Sequence, residues 1–431
     1  MRAGLAVLLV CLPGMLGAGE FYTLKGHGGP IMDIAVSPGG RVATASFDNA
    51  VGLWDGDDPT WLDGHRAAVN TLLFIDEGRV ASAGDDFAVF LWDETTGASR
   101  ELGQHKGKIV GLAVSPDRSV LASASWDGSI GLWPLDGGEP RFLTGHDAGV
   151  NALVFLGDGA RLLSASVDGT LREWDVAEGS LKRTLLRHGF GINEFVVNEA
   201  AGWTAYGAVD GVTRIIDTES ADEIADFTLG RRPILSMALD RDGRTLAVGD
   251  GQGYITLVDT SDWSIRADFR ATTRGPIWAL EFTPDGSNIH AGGLDEAMYS
   301  WPVEGTRDAP KMDVAGKDFL QGTEVGSNGE RQFKRKCSIC HALGPDGQRR
   351  AGPTLHGLFG RPAGTVPEYS YSETLQNSQI VWDDHTVDQL FDLGPDVFIM
   401  GTKMPMQRIT KKQDRDDLIA FLRQHTAPEG D

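Results

Sequence analysis

The chain has 431 residues, 41% of them hydrophobic, and a formal charge of −22. That length suggests two or three domains, and that sign disfavours nucleic acid as a partner. The charge is uneven: residues 311–431 carry 15 basic and 17 acidic side chains, and the rest of the chain carries 24 and 44.

The first element is an N-terminal leader. Met-Arg-Ala-Gly is followed by an apolar run from Leu5 to Leu16 and then by Gly17-Ala18-Gly19. The run is too short to span a bilayer, and its flanks suit a secretory signal cleaved near Ala18 or Gly19. Residues 1–19 are therefore expected to be a signal peptide, with a short membrane anchor as the alternative. Val10 before Cys11 disfavours a lipid-modified cysteine, where a small residue is expected. Once Cys11 is removed, the remaining cysteines are Cys337 and Cys340.

Residues 20–303 repeat. Leu53-Trp54-Asp55, Leu91-Trp92-Asp93, Gly131-Leu132-Trp133 and Glu173-Trp174-Asp175 recur every 38 to 41 residues. Weaker echoes follow at Ile216-Asp217, Val258-Asp259 and Trp301. His27, His65, His105, His146 and His188 precede them, and short β-prone runs such as Ile31–Val36 lie between. Even spacing of short strands with turn signals means an all-β repeat, and a period near 40 with G-H…W-D marks propeller blades.

These motifs resemble the WD-repeat family. The resemblance implies a seven-bladed β-propeller with a hydrogen-bonded His, Ser or Thr, Asp and Trp in each blade. The matching sets are His27, Thr44, Asp48 and Trp54; His65, Ser82, Asp86 and Trp92; His105, Ser123, Asp127 and Trp133; and His146, Ser164, Asp168 and Trp174. In later blades Ile216 and Val258 replace Trp, Gln252 stands where Asp is expected, and Arg274 stands in for His. The sets are read as structural, each satisfying buried polar groups. A metal site shared by the histidines is the alternative, opposed by their lying on separate blades. The run Phe21–Leu24 has no hairpin partner, and the last blade, ending near Val303, lacks an outer strand. Pairing the two closes the ring and removes a sheet edge.

Residues 304–328, rich in Gly, Asp and Lys, are predicted to be a linker. Glu330–Lys336 then leads as a predicted helix into Cys337-Ser338-Ile339-Cys340-His341. C-x-x-C-H is the attachment site of a c-type haem. Residues three apart share a helix face, so both sulfurs can meet one porphyrin while His341 offers a ring nitrogen to its iron. A zinc half-site and a redox dithiol are the other readings of the cysteine pair. A second cysteine pair and a thioredoxin-like βαβ pattern, which those readings need, are both missing from the sequence.

From Gly329 to Thr426, within an expected domain of residues 329–431, the chain resembles class I cytochrome c of the mitochondrial and α-proteobacterial type. The carrying residues are Gly329, Phe333, the haem motif, Gly352-Pro353 through Arg361, Gly401-Thr402-Lys403-Met404 and the final Arg415–Leu422. The implied fold is a multidomain chain, an all-β propeller followed by an all-α cytochrome c domain with one covalent haem c. His341 is implied as the proximal iron ligand, with the Pro353 carbonyl holding its other ring nitrogen, and Met404 as the distal ligand. Arg361, Tyr371 and Trp382 are implied around a buried haem propionate. Gly329, Phe333 and Phe421 are implied in the contact of first and last helices. Phe391 departs from the family's usual Tyr. Met400 and Met406 flank Met404 and are expected to pack in the core or haem crevice.

A His/Met pair raises the reduction potential and fills both axial positions, so an electron carrier is expected rather than a catalyst. The expected protein is exported to a bacterial periplasm, with its propeller as a protein-docking platform. The alternatives are a cytochrome subunit of a periplasmic oxidoreductase whose propeller binds a second cofactor or substrate, and a haem-based redox sensor. Redox partners are expected at a basic haem edge with Lys336, Lys403, Lys411 and Lys412, and at a propeller loop face with Phe47, Trp126 and Trp278. The opposite charges allow two arrangements: the acidic propeller holds the basic edge docked, or the edge stays free for an acidic partner.

Overall fold

The computed structural model describes residues 19–305 and 326–428, apart from 95, 232, 346–348, 368, 370, 401, 405 and 406. Residues 1–18 of the expected leader, most of the expected linker, Gly401 and Met406 lie outside the described residues.

Seven four-stranded antiparallel sheets follow one another around a ring. The second strand of each early blade ends in small residues, as in Val42–Ser46, Val120–Ser125 and Arg161–Ser166, and is buried almost throughout. Small side chains suit a strand pressed on both faces by neighbouring blades. The outermost strands, such as Ala98–Gln104, are largely exposed. Among the described residues no helix is long and apolar enough to cross a membrane.

The ring closes as the sequence predicts. Tyr22–Lys25 pairs antiparallel with Ala297–Pro302, Tyr22 opposite Ser300 and Leu24 opposite Met298. Leu24 and Met298 are buried together with Trp54 and Ile31 of the first blade. The first strand therefore completes the seventh blade, and the unpaired edge is gone.

Each of the first four blades carries its polar set. In blade three, His105 pairs with Asp127 at 3.1 Å and with the Ser123 hydroxyl at 2.8 Å, and Trp133 Nε1 donates to that same hydroxyl at 2.7 Å. The other three sets repeat this geometry, with Trp donors 2.7–2.8 Å from Thr44, Ser82 and Ser164. The degenerate blades keep the ion pair and change its members. His188 pairs with Asp210 at 3.2 Å. Arg231 pairs with Asp250 at 2.5 Å, so the acid missing at Gln252 is supplied two residues earlier. Arg274 pairs with Asp295 at 3.2 Å.

The innermost strand of every blade carries a register shift, for example between Val69 and Thr71 and between Val150 and Ala152. Such bulges re-aim one side chain. Asn70, Asn151 and Asn193 occupy these positions, and their amides donate to the Ile109, Ile192 and Ile234 carbonyls of the next blade at 3.0, 2.9 and 2.7 Å. Trp278 holds the equivalent position in blade seven and is half-buried. It is thus an inner-strand bulge residue as well as a candidate for the loop face.

Two consequences can be measured. Ser123→Ala removes the shared acceptor of His105 and Trp133, leaving a buried donor unpaired, which costs about 1–3 kcal/mol. The expected result is a lower urea midpoint with an unchanged slope. The second concerns Asp33, Glu194 and Glu281 on the innermost strands of blades one, five and seven. Loss of surrounding water pushes Glu194 and Glu281 up to about 8 and Asp33 up to about 6, and the charge of Asp33 adds to the shift of both glutamates. Carboxyls raised on folding contribute stability below their ordinary value near 4.5 and lose it as pH rises through about 8. Between pH 6 and pH 9 the melting temperature of the wild type should fall relative to that of Glu194→Gln/Glu281→Gln.

Candidate functional site

The second half begins with helix α1 (Asn328–Lys336), started by the Ser327 hydroxyl accepting from the Glu330 backbone N–H at 3.1 Å. Helices α2 (Glu373–Gln376), α3 (Asp384–Leu393) and α4 (Pro395–Phe398) follow, and α5 (Lys412–Thr426) returns to cross α1. The crossing is close because Gly329 lacks a side chain: a Cβ there would overlap the Asp417 carbonyl and lie 2.6 Å from Phe421 Cβ. One turn on, the Phe333 and Phe421 rings meet with centroids 5.5 Å apart. The expected Gly329–Phe333–Phe421 contact is therefore present.

Past α1 the chain turns tightly, with the His341 N–H bonded to the Cys337 carbonyl at 2.9 Å. This places Cys337, Cys340 and His341 on one cavity, which Pro353, Arg361, Tyr371, Trp382 and Met404 also line. The cavity and its mouth together hold ≈ 1230 Å³. Leu355, Leu358, Val387, Leu390, Phe391 and Leu422 give it apolar walls. All the residues predicted for the site are thus brought together.

Each is held by its own local cause. His341 Nδ1 lies 2.7 Å from the Pro353 carbonyl, which fixes Nδ1 as the donor and turns Nε2 into the nitrogen available to a metal. Gly352 makes that ring position possible, since a Cβ there would overlap the imidazole. Burial holds the His341 pKa below its ordinary value, against the bond to Pro353. Burial also pushes the Cys337 thiol up to about 12 and the Cys340 thiol up to about 11. A redox dithiol shows the opposite, a lowered thiol pKa.

Arg361 and Trp382 face each other across a short ladder: Gly360 N–H to the Trp382 carbonyl at 2.8 Å and Trp382 N–H to the Arg361 carbonyl at 3.0 Å. The Arg361 guanidinium donates to the His356 and Thr354 carbonyls at 2.6 and 2.9 Å. Tyr369, which no sequence motif marks, also lines the cavity and donates to the Ala351 carbonyl at 2.6 Å. The segment after Met404 is anchored by Ile409, whose N–H bonds the Phe391 carbonyl at 2.9 Å. Buried Arg415 donates to the Ile409 carbonyl at 2.9 Å and pairs with Asp388 and Asp392 of α3 at 2.7 and 2.9 Å. Met400, expected to pack, is 75% exposed: it follows α4 on the surface.

These residues fit a covalently held haem. Two free thiols, one oriented imidazole and one thioether border a single largely apolar cavity, and a glycine leaves room for the imidazole. When bound, the haem would supply a one-electron couple at its iron.

The expected partner surfaces are only partly as predicted. Lys412 is taken up by Asp416 at 2.7 Å, and Lys411 is exposed. Lys336 is half-buried beside the motif. Lys403 is half-buried, and burial lowers its pKa, with Arg66 lowering it further and Asp86 raising it. Trp126 is 51% exposed, its indole donating to Asn151 at 3.0 Å beneath the Lys108 ammonium. Phe47, by contrast, lines the cavity of the second half.

Comparison with known proteins assigns both halves. Residues 19–55, 59–93, 98–134 and 137–175 match the WD domain, G-beta repeat, which are the blades with intact polar sets. Residues 326–426 match Cytochrome c. The chain is 44% identical over 102 residues to cytochrome c of Sesamum indicum, covering 23% of this chain and 89% of that one. It is 40% identical over 115 residues to cytochrome c of Arabidopsis thaliana, 27% and 99% respectively. The similarity to cytochrome c of Gibberella zeae is 38% over 113 residues, 26% and 99%. This kinship implies a covalent haem c with its iron. Through its C-terminal region, following a seven-bladed propeller with WD repeats, the chain belongs to the cytochrome c family.

Proposed function

We propose that this chain is an exported electron-transfer protein of the class I cytochrome c type, with one haem c attached through Cys337 and Cys340. In this reading His341 and Met404 would hold the haem iron, and the propeller is a platform for protein partners. The observation that carries it is the convergence of both thiols, His341 and Met404 on one apolar cavity, with His341 Nδ1 already committed to Pro353. Identity of 38–44% to plant and fungal cytochromes c supports the class I assignment.

The chain's own groups have distinct parts in that role. Pro353 orients the imidazole and raises its basicity. Arg361, Tyr371 and Trp382 stand where a propionate would be held, and Leu355, Leu358 and Leu390 exclude water. An iron held by both His341 and Met404 would offer no position to a substrate, which favours electron transfer over substrate chemistry. A periplasmic location rests on the leader pattern at residues 1–19 and on the need of c-type attachment for an exporting route.

Met404→Ala should abolish the weak far-red band of iron–sulfur ligation in the oxidised protein and let the reduced protein bind carbon monoxide readily. Loss of the band in Met400→Ala but not in Met404→Ala would refute the ligand assignment. N-terminal sequencing of protein from the periplasmic fraction should start near Gly19 or Glu20. A start at Met1 would contradict export by cleavage.

A further inference from the structure

Arg349 and Arg350, which belong to no motif, make the contacts that join the two halves. The Arg349 guanidinium lies over the Trp61 ring, 4.8 Å from its centre, and pairs with Asp63. Its Nε is 3.5 Å from Oδ2 of Asp48, the acid of the blade-one polar set. Burial works against the ionised form of Asp48, yet His27, the Gly28 N–H and Arg349 together hold its pKa below the ordinary value. Arg350 pairs with Glu296 and donates to the Gly28 carbonyl at 3.1 Å. The Asn49 amide reaches the Ala351 carbonyl at 3.4 Å.

Solvated surface pairs contribute little, and the Asp63 and Glu296 side chains keep 63% and 38% of their exposure. The inner contact is different: the arginine side chains retain 26% and 15%, and Asp48 retains none. Backbone approach is equally close: a Cβ on Gly28 would overlap the Arg349 carbonyl. Beside this contact Phe47, Asn49, Ala67, Ala68 and Asp85 wall one side of the cavity lined by Cys337, Cys340 and His341.

We infer that the junction of blades one and seven is a dock for the chain's own cytochrome domain, closed by Arg349 and Arg350, and that docking covers the haem cavity against other redox proteins. The platform's first occupant is then part of the same chain, at the high local concentration a tether provides. An external redox protein must displace it or act on a released cytochrome domain. This deepens the platform reading and depends on the electron-carrier assignment only in its kinetic arm.

The test uses the full-length holoprotein. Small-angle scattering should give a compact particle for the wild type and a larger radius of gyration for Arg349→Glu/Arg350→Glu. Adding Asp63→Lys/Glu296→Lys to that variant should restore compaction. Gly28→Leu, which leaves every charge in place, should also enlarge the particle without changing the circular dichroism of the propeller. A wild type already as large as the charge-reversed variant would overturn the dock. In the kinetic arm, reduced azurin supplies one electron to each oxidised molecule. Its rate should rise severalfold in Arg349→Glu/Arg350→Glu, while the rate with ascorbate changes little. Equal azurin rates in a compact wild type and an extended variant would overturn the covering role.

Discussion

The ladder between the first strand, Tyr22–Lys25, and the last, Ala297–Pro302, is the contact on which the rest depends. An open arc of blades would expose a sheet edge and leave Leu24 and Met298 without their shared core. Closure also sets where the second half can rest. Gly28 lies just beyond the closing strand, Glu296 just before its partner, and Asp48 and Asp63 belong to the next blade. All four receive Arg349 or Arg350 or pack against them. The dock therefore exists only in the closed ring, and the residues that recognise the cytochrome are brought together from opposite ends of the repeat region, residues 20–303.

The cytochrome half is organised by a comparable economy of shape. Gly329 lets α1 and α5 cross closely, Gly352 makes room for His341, and Arg415 fixes the segment after Met404 by pairing with two aspartates of α3. Buried ion pairs are weak sources of stability because desolvation opposes them. Arg415 is better understood as a positioning group: it also binds the Ile409 carbonyl, and so couples the Met404 segment to the helix pair.

The fold was legible because periodic chemistry wrote it. A Trp, a His and an Asp recur with the blades, and the haem motif is specific through its spacing. The polar sets of blades one to four could be named residue by residue, as could eight of the residues that line the cavity. What escaped was whatever depends on a partner distant in sequence. Asp250 replaces the acid absent at Gln252, but only the register of its hairpin reveals that. Phe47 reads as a surface residue until the second half covers it. Arg349 and Arg350 follow the haem motif without periodicity, and their acceptors lie in the first and seventh blades. The clustering of basic residues around the haem motif anticipates attraction between an acidic propeller and a basic haem edge. It does not distinguish a lysine such as Lys412, satisfied within its own helix by Asp416, from an arginine aimed at another domain.

A potentiometric titration of the purified full-length holoprotein, followed by its absorption spectrum, bears most directly on the electron-carrier role. A single one-electron transition of one low-spin c-type haem, whose reduced form does not bind carbon monoxide, is the expected result. A second chromophore, or ready binding of carbon monoxide by the native reduced protein, would contradict it.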